Sequence, residues 1–356
     1  MYPALAAHNA LVKERPQVET LWVGGEGGME AGLVQRAGIP FKSIPAAGLH
    51  GVGWRALPGN ALKLARGYAA SRRILREFEP NALFFTGGYL AVPMALAGRR
   101  IPTLLYVPDI EPALAMRTII PFADRIAVTA PDSRPYYPGR AALVETGYPV
   151  RADLLTWTRE AAFETLNLHR EKPVLMVWGG SRGARSINQA VVKHLPYLLE
   201  LAQVVHVSGE LDWPMIESTR EAALGSHRRD YHAFAYLHEE MGAALRAADL
   251  VVSRAGASVL GEYPLLGLPS ILVPYPHAWR YQKVNAEALA GRGAAIVLED
   301  SRLKEDLLKT IRTLLNEPAK LEAMRAAAAS LARPNAARAI ASQILELAGE
   351  ERLWSA

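Results

Sequence analysis

A chain of 356 residues, half of them apolar, is long enough to bury two cores of ordinary domain size, and the absence of cysteine excludes disulfides, thiolate nucleophiles and cysteine-bound zinc together. A net charge of +5 and an isoelectric point near 9.3 favour anionic partners, yet no RNA-binding aromatic motif and no dense Lys/Arg tract accompanies them, which argues against nucleic acid. No apolar run approaches the roughly 18 residues that span a bilayer, and Met1-Tyr-Pro-Ala4 is not a basic start leading into an apolar stretch, so the chain is expected to stay in the cytoplasm.

In chain order, short apolar or β-branched runs alternate with Ala/Leu/Arg-rich helical periods, which predicts an α/β chain of parallel sheets covered by helices. The first half offers strands at 20–23, 82–85, 103–106 and 125–128, and helices near 4–14, 28–37, 58–78 and 90–98. In a doubly wound domain the first strand is central and its glycine loop opens the first helix. Here Met1-Tyr-Pro-Ala-Leu-Ala-Ala7 is helix-like at once, so the expectation is a truncated sequence lacking that strand and loop, or an N-terminal helix of another topology. The stretch Gly53-Trp-Arg-Ala-Leu57, then 61–68, then Arg72, Arg73 and Arg76, mixes apolar anchors with cations as interfacial helices do, and as ordinary amphipathic surface helices also do.

Gly147-Tyr-Pro-Val-Arg151 and the polar stretch to Lys172 break both periods and read as an interdomain connection, dividing the chain into domains over 1–148 and 149–334. The alternation restarts at Val174 and runs to Val297. After residue 302 the pattern is purely helical, with helices near 319–332 and 336–350, and the last segment, 335–356, is expected to pack back on the N-terminal domain.

Two turns in the second half carry the chemistry. The apolar run 174–177 leads into Trp178-Gly-Gly-Ser-Arg-Gly-Ala-Arg185, a strand, a glycine turn and a helix start of the kind that holds phosphate, although tight strand-helix turns also need glycine on steric grounds alone. Leu250-Val-Val-Ser-Arg-Ala-Gly-Ala-Ser258 repeats that grammar, with Arg254 at its centre and Glu262 on the helix that follows. A carboxylate there can accept both hydrogen bonds of a ribose diol. Two such elements in one half-chain point to a sugar nucleotide.

Tyr2-Pro-Ala-Leu-Ala6, Ala47-Gly-Leu-His-Gly51, Gly87-Gly-Tyr89, Gly147-Tyr-Pro-Val-Arg151, the Gly179–Arg185 turn, Ser253-Arg-Ala-Gly-Ala257, Glu262 and Gln282-Lys-Val-Asn-Ala286 stand in the order and spacing of the MurG family, which the chain resembles over nearly its whole length. The resemblance implies a GT-B fold of two Rossmann-like domains facing a cleft. It also implies an inverting transfer of N-acetylglucosamine from UDP-N-acetylglucosamine to lipid I, the undecaprenyl-diphosphate muramyl-pentapeptide, giving lipid II at the inner face of the cell membrane. Peripheral attachment to that surface is implied as well.

By the same resemblance the donor is bound by Arg151, Gly180, Ser181, Arg185, Leu237, Arg254, Ala257, Ser258, Glu262, Gln282 and Asn285, with Ser258 in the first helical turn, Glu262 on the ribose and Gln282 on the sugar hydroxyls. Gly87, Gly88 and Tyr89 would face the lipid diphosphate. Two departures stand out: Tyr281 precedes Gln282 where relatives carry an amide or histidine, and Tyr106-Val-Pro-Asp109 replaces the usual His-Glu-Gln-Asn. The second removes an acid or base group, leaving Asp109, Glu111 and His277 as base candidates, of which the two acids read as exposed loop carboxylates and His277, beside prolines, as structural. No Asp-x-Asp motif occurs, so no cofactor or metal is expected, with helix N-termini and arginine neutralising the diphosphate. The departures also leave open a transferase with another acceptor, a UDP-sugar epimerase, or an inactive donor-binding partner subunit.

Overall fold

A computed structural model describes residues 1–28, 30–45, 57–88, 90–180, 183–222, 229–277 and 280–349. Tyr89, Ser181, Arg182 and the segment 46–56, which holds the Ala47–Gly51 motif and Trp54, lie outside them. The chain forms two compact units, Met1–Pro149 with Asn335–Ala356, and Val150–Pro334.

The first unit runs α1 (Tyr2–Glu14), β1 (Trp22–Gly25), α2 (Glu30–Arg36), β2 (Phe41–Ile44), α3 (Leu57–Phe78), β3 (Leu83–Phe85), α4 (Ala91–Ala97), β4 (Thr103–Val107), α5 (Leu114–Ile119), β5 (Arg125–Val128) and β6 (Leu143–Glu145). Every strand pair is parallel. The strands nevertheless form two separate sheets, β1-β2 and β3-β4-β5-β6, because no described strand pairs with the outer edges of both β1 and β3. Apolar side chains of both sheets, Ile44, Leu83, Phe85, Leu105 and Val107 among them, enter one core. On the other face Leu104, Tyr106 and Ala127 bury against Ala7 of α1 and Ile340, which belongs to the chain's final helix.

The second unit contains α6 (Arg159–Thr165), β7 (Val174–Trp178), α7 (Arg185–Leu201), β8 (Gln203–Val207), α8 (Trp213–Ala222), β9 (Tyr231–Phe234), α9 (Glu240–Ala247), β10 (Leu250–Ser253), α10 (Val259–Leu266), β11 (Ser270–Leu272), α11 (Tyr281–Ala290), β12 (Ala295–Val297), α12 (Leu303–Asn316) and α13 (Pro318–Ser330). Its six strands lie parallel in the order β12-β11-β10-β7-β8-β9. That order reverses between β7 and β10, the doubly wound pattern. Runs such as Val174–Val177 are buried throughout because helices cover both faces of the sheet. Helix α12 closes one face with Leu303, Leu307, Ile311 and Leu314, spaced at helical period.

The segment read as a polar connection is structured. Thr158 caps α6, its hydroxyl accepting from the Ala161 amide at 3.1 Å, and Ala162 and Phe163 are buried. After α13 the chain returns to the first unit as α14 (Ala336–Leu347), whose Ala341 and Leu345 pack on Leu11 of α1. Ion pairs Arg338–Glu14 at 2.6 Å and Arg125–Glu346 at 2.6 Å flank that seam.

Candidate functional site

The two glycine turns of the second unit leave adjacent strands at the point where the sheet order reverses. Trp178 at the end of β7 stands opposite Ser253 at the end of β10. Tyr263 ties the pair together: its hydroxyl accepts from the Trp178 indole at 2.8 Å and donates to Ser253 Oγ at 2.7 Å. The N-termini of α7 and α10 thus open side by side, each presenting a positive helix-dipole end, an arrangement suited to a diphosphate.

The first turn has no room for a side chain at Gly179 or Gly183. A Cβ at Gly179 would lie 2.2 Å from the Ala184 nitrogen, and one at Gly183, whose φ is +77°, would lie 2.3 Å from the Ser208 carbonyl oxygen. Gly180 is also left-handed, at φ +87°. Glycine therefore serves both the steric need of the turn and the exposure of its amides.

Around the second turn the side chains divide into groups that face a ligand position and groups that hold the turn. Arg254 belongs to the second kind. Only 10% of its side chain is exposed; it is ion-paired with Asp300, donates to Ser186 Oγ at 2.8 Å and to the Val273 carbonyl at 3.2 Å, and lies over the Tyr275 ring. The cation expected beside the diphosphate is thus already balanced by a carboxylate. Asn285 is fully buried and donates to the Ala255 carbonyl at 3.1 Å, securing the turn. Gln282 Oε1 accepts from the Tyr275 amide at 2.9 Å. Ser258 occupies the cap position just before α10, one place earlier than expected, and Ala257 precedes it. Leu237 is buried in the segment after β9.

Glu262 behaves differently. Its Oε2 is shielded from solvent and has no hydrogen-bond donor, and burial pushes the carboxyl up to about 7, against the opposing pull of the Ser258 hydroxyl and the Arg151 charge. A shielded carboxylate oxygen lacking donors is complementary to a hydroxyl pair. Arg151, near Asp153 at 3.6 Å, lends positive charge from the start of the unit. Arg185 opens α7 with 69% of its side chain exposed.

In the first unit Gly87 and Gly88 turn after β3 with φ of +108° and +91°. A Cβ at Gly87 would meet the Met116 sulfur of α5 at 2.5 Å, which packs this turn against α5. Glu111 corrects the expectation of a solvated loop acid: it is 3% exposed and accepts from Arg117 Nη2 at 2.8 Å, so its charge is held by an arginine. Asp109 is half-buried at the carboxyl end of β4. Tyr106 replaces the family histidine as a core residue; fully buried, it donates to Thr129 Oγ1 at 3.0 Å, and burial holds its phenol well above the usual range. His277 is exposed, edge-on to Tyr275 at 5.4 Å. Among the described residues no group of three His, Asp or Glu side chains converges as a metal site.

Reasoning from sequence missed Asp300, Ser186 and Asp212, the polar partners of the turns. Ser186 alone had a signal, adjoining Arg185; Asp212 stands in the turn before α8 and Asp300 opens a short 3-10 helix before α12, both remote in sequence from their partners.

Comparison with known proteins gives this geometry a relationship. Residues 1–128 match the glycosyltransferase family 28 N-terminal domain and residues 174–343 the family 28 C-terminal domain. A Desulforudis audaxviator protein named UDP-N-acetylglucosamine–N-acetylmuramyl-(pentapeptide) pyrophosphoryl-undecaprenol N-acetylglucosamine transferase is 39% identical over 98% of this chain and 96% of its own. A Roseiflexus protein of the same name is 38% identical over 94% of this chain and 84% of its own. The crystal structure of Acinetobacter baumannii MurG superposes with a TM-score of 0.76 at 25% identity, covering 97% of this chain and 95% of that one. A Listeria monocytogenes structure described as a UDP-N-acetylglucosamine 2-epimerase shares the fold, with a TM-score of 0.69 at 16% identity over 99% of this chain and 96% of its own.

Proposed function

The chain belongs to the MurG family of family-28 glycosyltransferases, and we infer from that premise that it is an N-acetylglucosaminyltransferase acting in peptidoglycan synthesis. UDP-N-acetylglucosamine is the donor and lipid I the acceptor. The observation that carries the donor reading is the pair of helix N-termini at the switch point of the second unit, with the donor-seeking carboxylate of Glu262 beside them.

The diphosphate lies against the amides that open α7 and α10, and Glu262 receives the ribose hydroxyls. Gln282 and Arg151 bound the sugar and uridine sides. The acceptor hydroxyl displaces UDP in one step, which inverts the anomeric centre. Charge developing on the leaving phosphate is met by preorganised N–H groups, with no obligatory metal.

The acceptor reading places the lipid diphosphate at the Gly87–Gly88 turn of the first unit. Helix α3 supports attachment to the cytoplasmic face of the membrane: Leu62, Lys63, Arg66, Arg72, Arg73 and Arg76 are all exposed along it. The attachment in this reading is peripheral, and no described helix is long and apolar enough to cross a membrane. Each cation near an anionic leaflet contributes about 1 kcal/mol.

Titration with UDP, UDP-N-acetylglucosamine and UDP-glucose tests the donor half. Tight binding of the first two that is lost in Glu262→Ala supports it; equal binding by wild type and variant contradicts it.

A further inference from the structure

Beneath the first glycine turn lies a chain of buried polar groups that nothing in the donor reading uses. Asn188, in the first turn of α7, is fully buried. Its Nδ2 donates to the Ser208 carbonyl at 2.9 Å and to Asp212 Oδ2 at 2.9 Å, and its Oδ1 faces His206 Nε2 at 3.0 Å. An amide oxygen can only accept, so His206 donates from Nε2, and its Nδ1 accepts the Tyr231 hydroxyl at 2.9 Å. Burial holds the imidazole down at about 4, which keeps this tautomer neutral at physiological pH. Tyr231, His206 and Asn188 therefore form a fully matched relay with one polarity, and it ends on Asp212.

Asp212 is itself 6% exposed, and its second oxygen receives Arg185 Nε at 2.8 Å. The anchor uses the inner nitrogen of the guanidinium, leaving the two terminal nitrogens on the exposed end of the side chain, at the N-terminus of α7. The same Ser208 carbonyl that Asn188 holds is the atom against which Gly183 is pressed. One assembly thus fixes both the backbone at Gly183 and the direction of Arg185.

We propose that Asp212 and Asn188 are positioning residues for the donor: they hold the backbone at Gly183 and aim the terminal nitrogens of Arg185 at the diphosphate of the sugar nucleotide. This rests on the donor reading given above. An ordinary exposed ion pair would contribute little. This one differs because its acid is buried and shared with a buried amide, so the arginine has a single preorganised direction.

The test is a double-mutant cycle on the full chain, with Asp212→Ala, Arg185→Ala and both together. UDP affinity is measured by calorimetry, donor and acceptor KM by transfer assay, and folding by thermal melting. If Asp212 acts through Arg185, each single variant weakens UDP binding and raises donor KM about tenfold, the double is no weaker than either single within about twofold, and acceptor KM stays at the wild-type value. Wild-type UDP affinity in Asp212→Ala, or a double variant whose loss is the product of the two singles, overturns the proposal. Should Asp212→Ala lose its cooperative melt, Asp212→Asn keeps the volume, sets an amide against the Asn188 amide, and carries the same expectation. A wild-type chain that fails to bind UDP overturns the donor reading and this inference together; wild-type binding with unaffected variants overturns this inference alone.

Discussion

Glu262 couples ligand binding to pH. In the free chain its carboxyl is pushed up to about 7, whereas hydroxyl donors favour the ionised form, so donor binding should expel a proton. Calorimetry in buffers of different ionisation enthalpy should find close to one proton released per UDP near pH 6, about half near pH 7 and little above pH 8. In Glu262→Gln the release should vanish and affinity should fall about ten- to a hundredfold. UDP binding that exchanges no proton in the wild type would remove Glu262 from the ribose. His206 acts on stability instead. Its folded pKa of about 4 lies below the unfolded 6.5, so the unfolded chain binds the extra proton between those values and stability falls as the solution is acidified through that window. The loss from this one group is about 3 kcal/mol, and His206→Gln should flatten the pH dependence of the urea midpoint there.

At the scale of elements, the return of α14 to the first unit is the connection most open to test. Ile340 is fully buried among Ala7, Leu104, Tyr106 and Ala127. Ile340→Ala should cost about 2–5 kcal/mol in urea unfolding, against less than about 0.5 kcal/mol for an exposed substitution such as Lys309→Ala on α12. The strongly periodic helices and the buried parallel strands were legible from pattern, because burial and periodicity express the same constraint. Strand β2 was not, since Lys42 and Ser43 are exposed and the strand exists through its pairing with Trp22–Gly25. The edge strand β6, three residues long, was hidden for the same reason. Helix α6 was read as linker although Thr158-Arg-Glu-Ala161 carries a cap signal. At the site, Arg254 and Glu262 were visible from their turn and helix positions. Their environments were not: Asp300 lies 46 residues from Arg254 and Asp212 lies 27 from Arg185, so the balance of each charge is a product of tertiary structure.

For the whole molecule, each unit brings its own turn: β7 and β10 of the second supply paired helix N-termini, and the first supplies the Gly87–Gly88 turn with α3. Attachment through α3 predicts partition onto vesicles containing anionic lipid, weaker on zwitterionic vesicles and weakened by salt; replacing Arg72, Arg73 and Arg76 with glutamine should reduce it about tenfold or more. A diphosphate neutralised by amides predicts transfer that persists in excess chelator. The most direct test of the account is transfer of radiolabelled N-acetylglucosamine from UDP-N-acetylglucosamine to a lipid I analogue, run with and without the acceptor. Labelled disaccharide-linked lipid formed only when the acceptor is present is the predicted result. UDP-N-acetylglucosamine consumed without acceptor, or bound with no transfer, would contradict it.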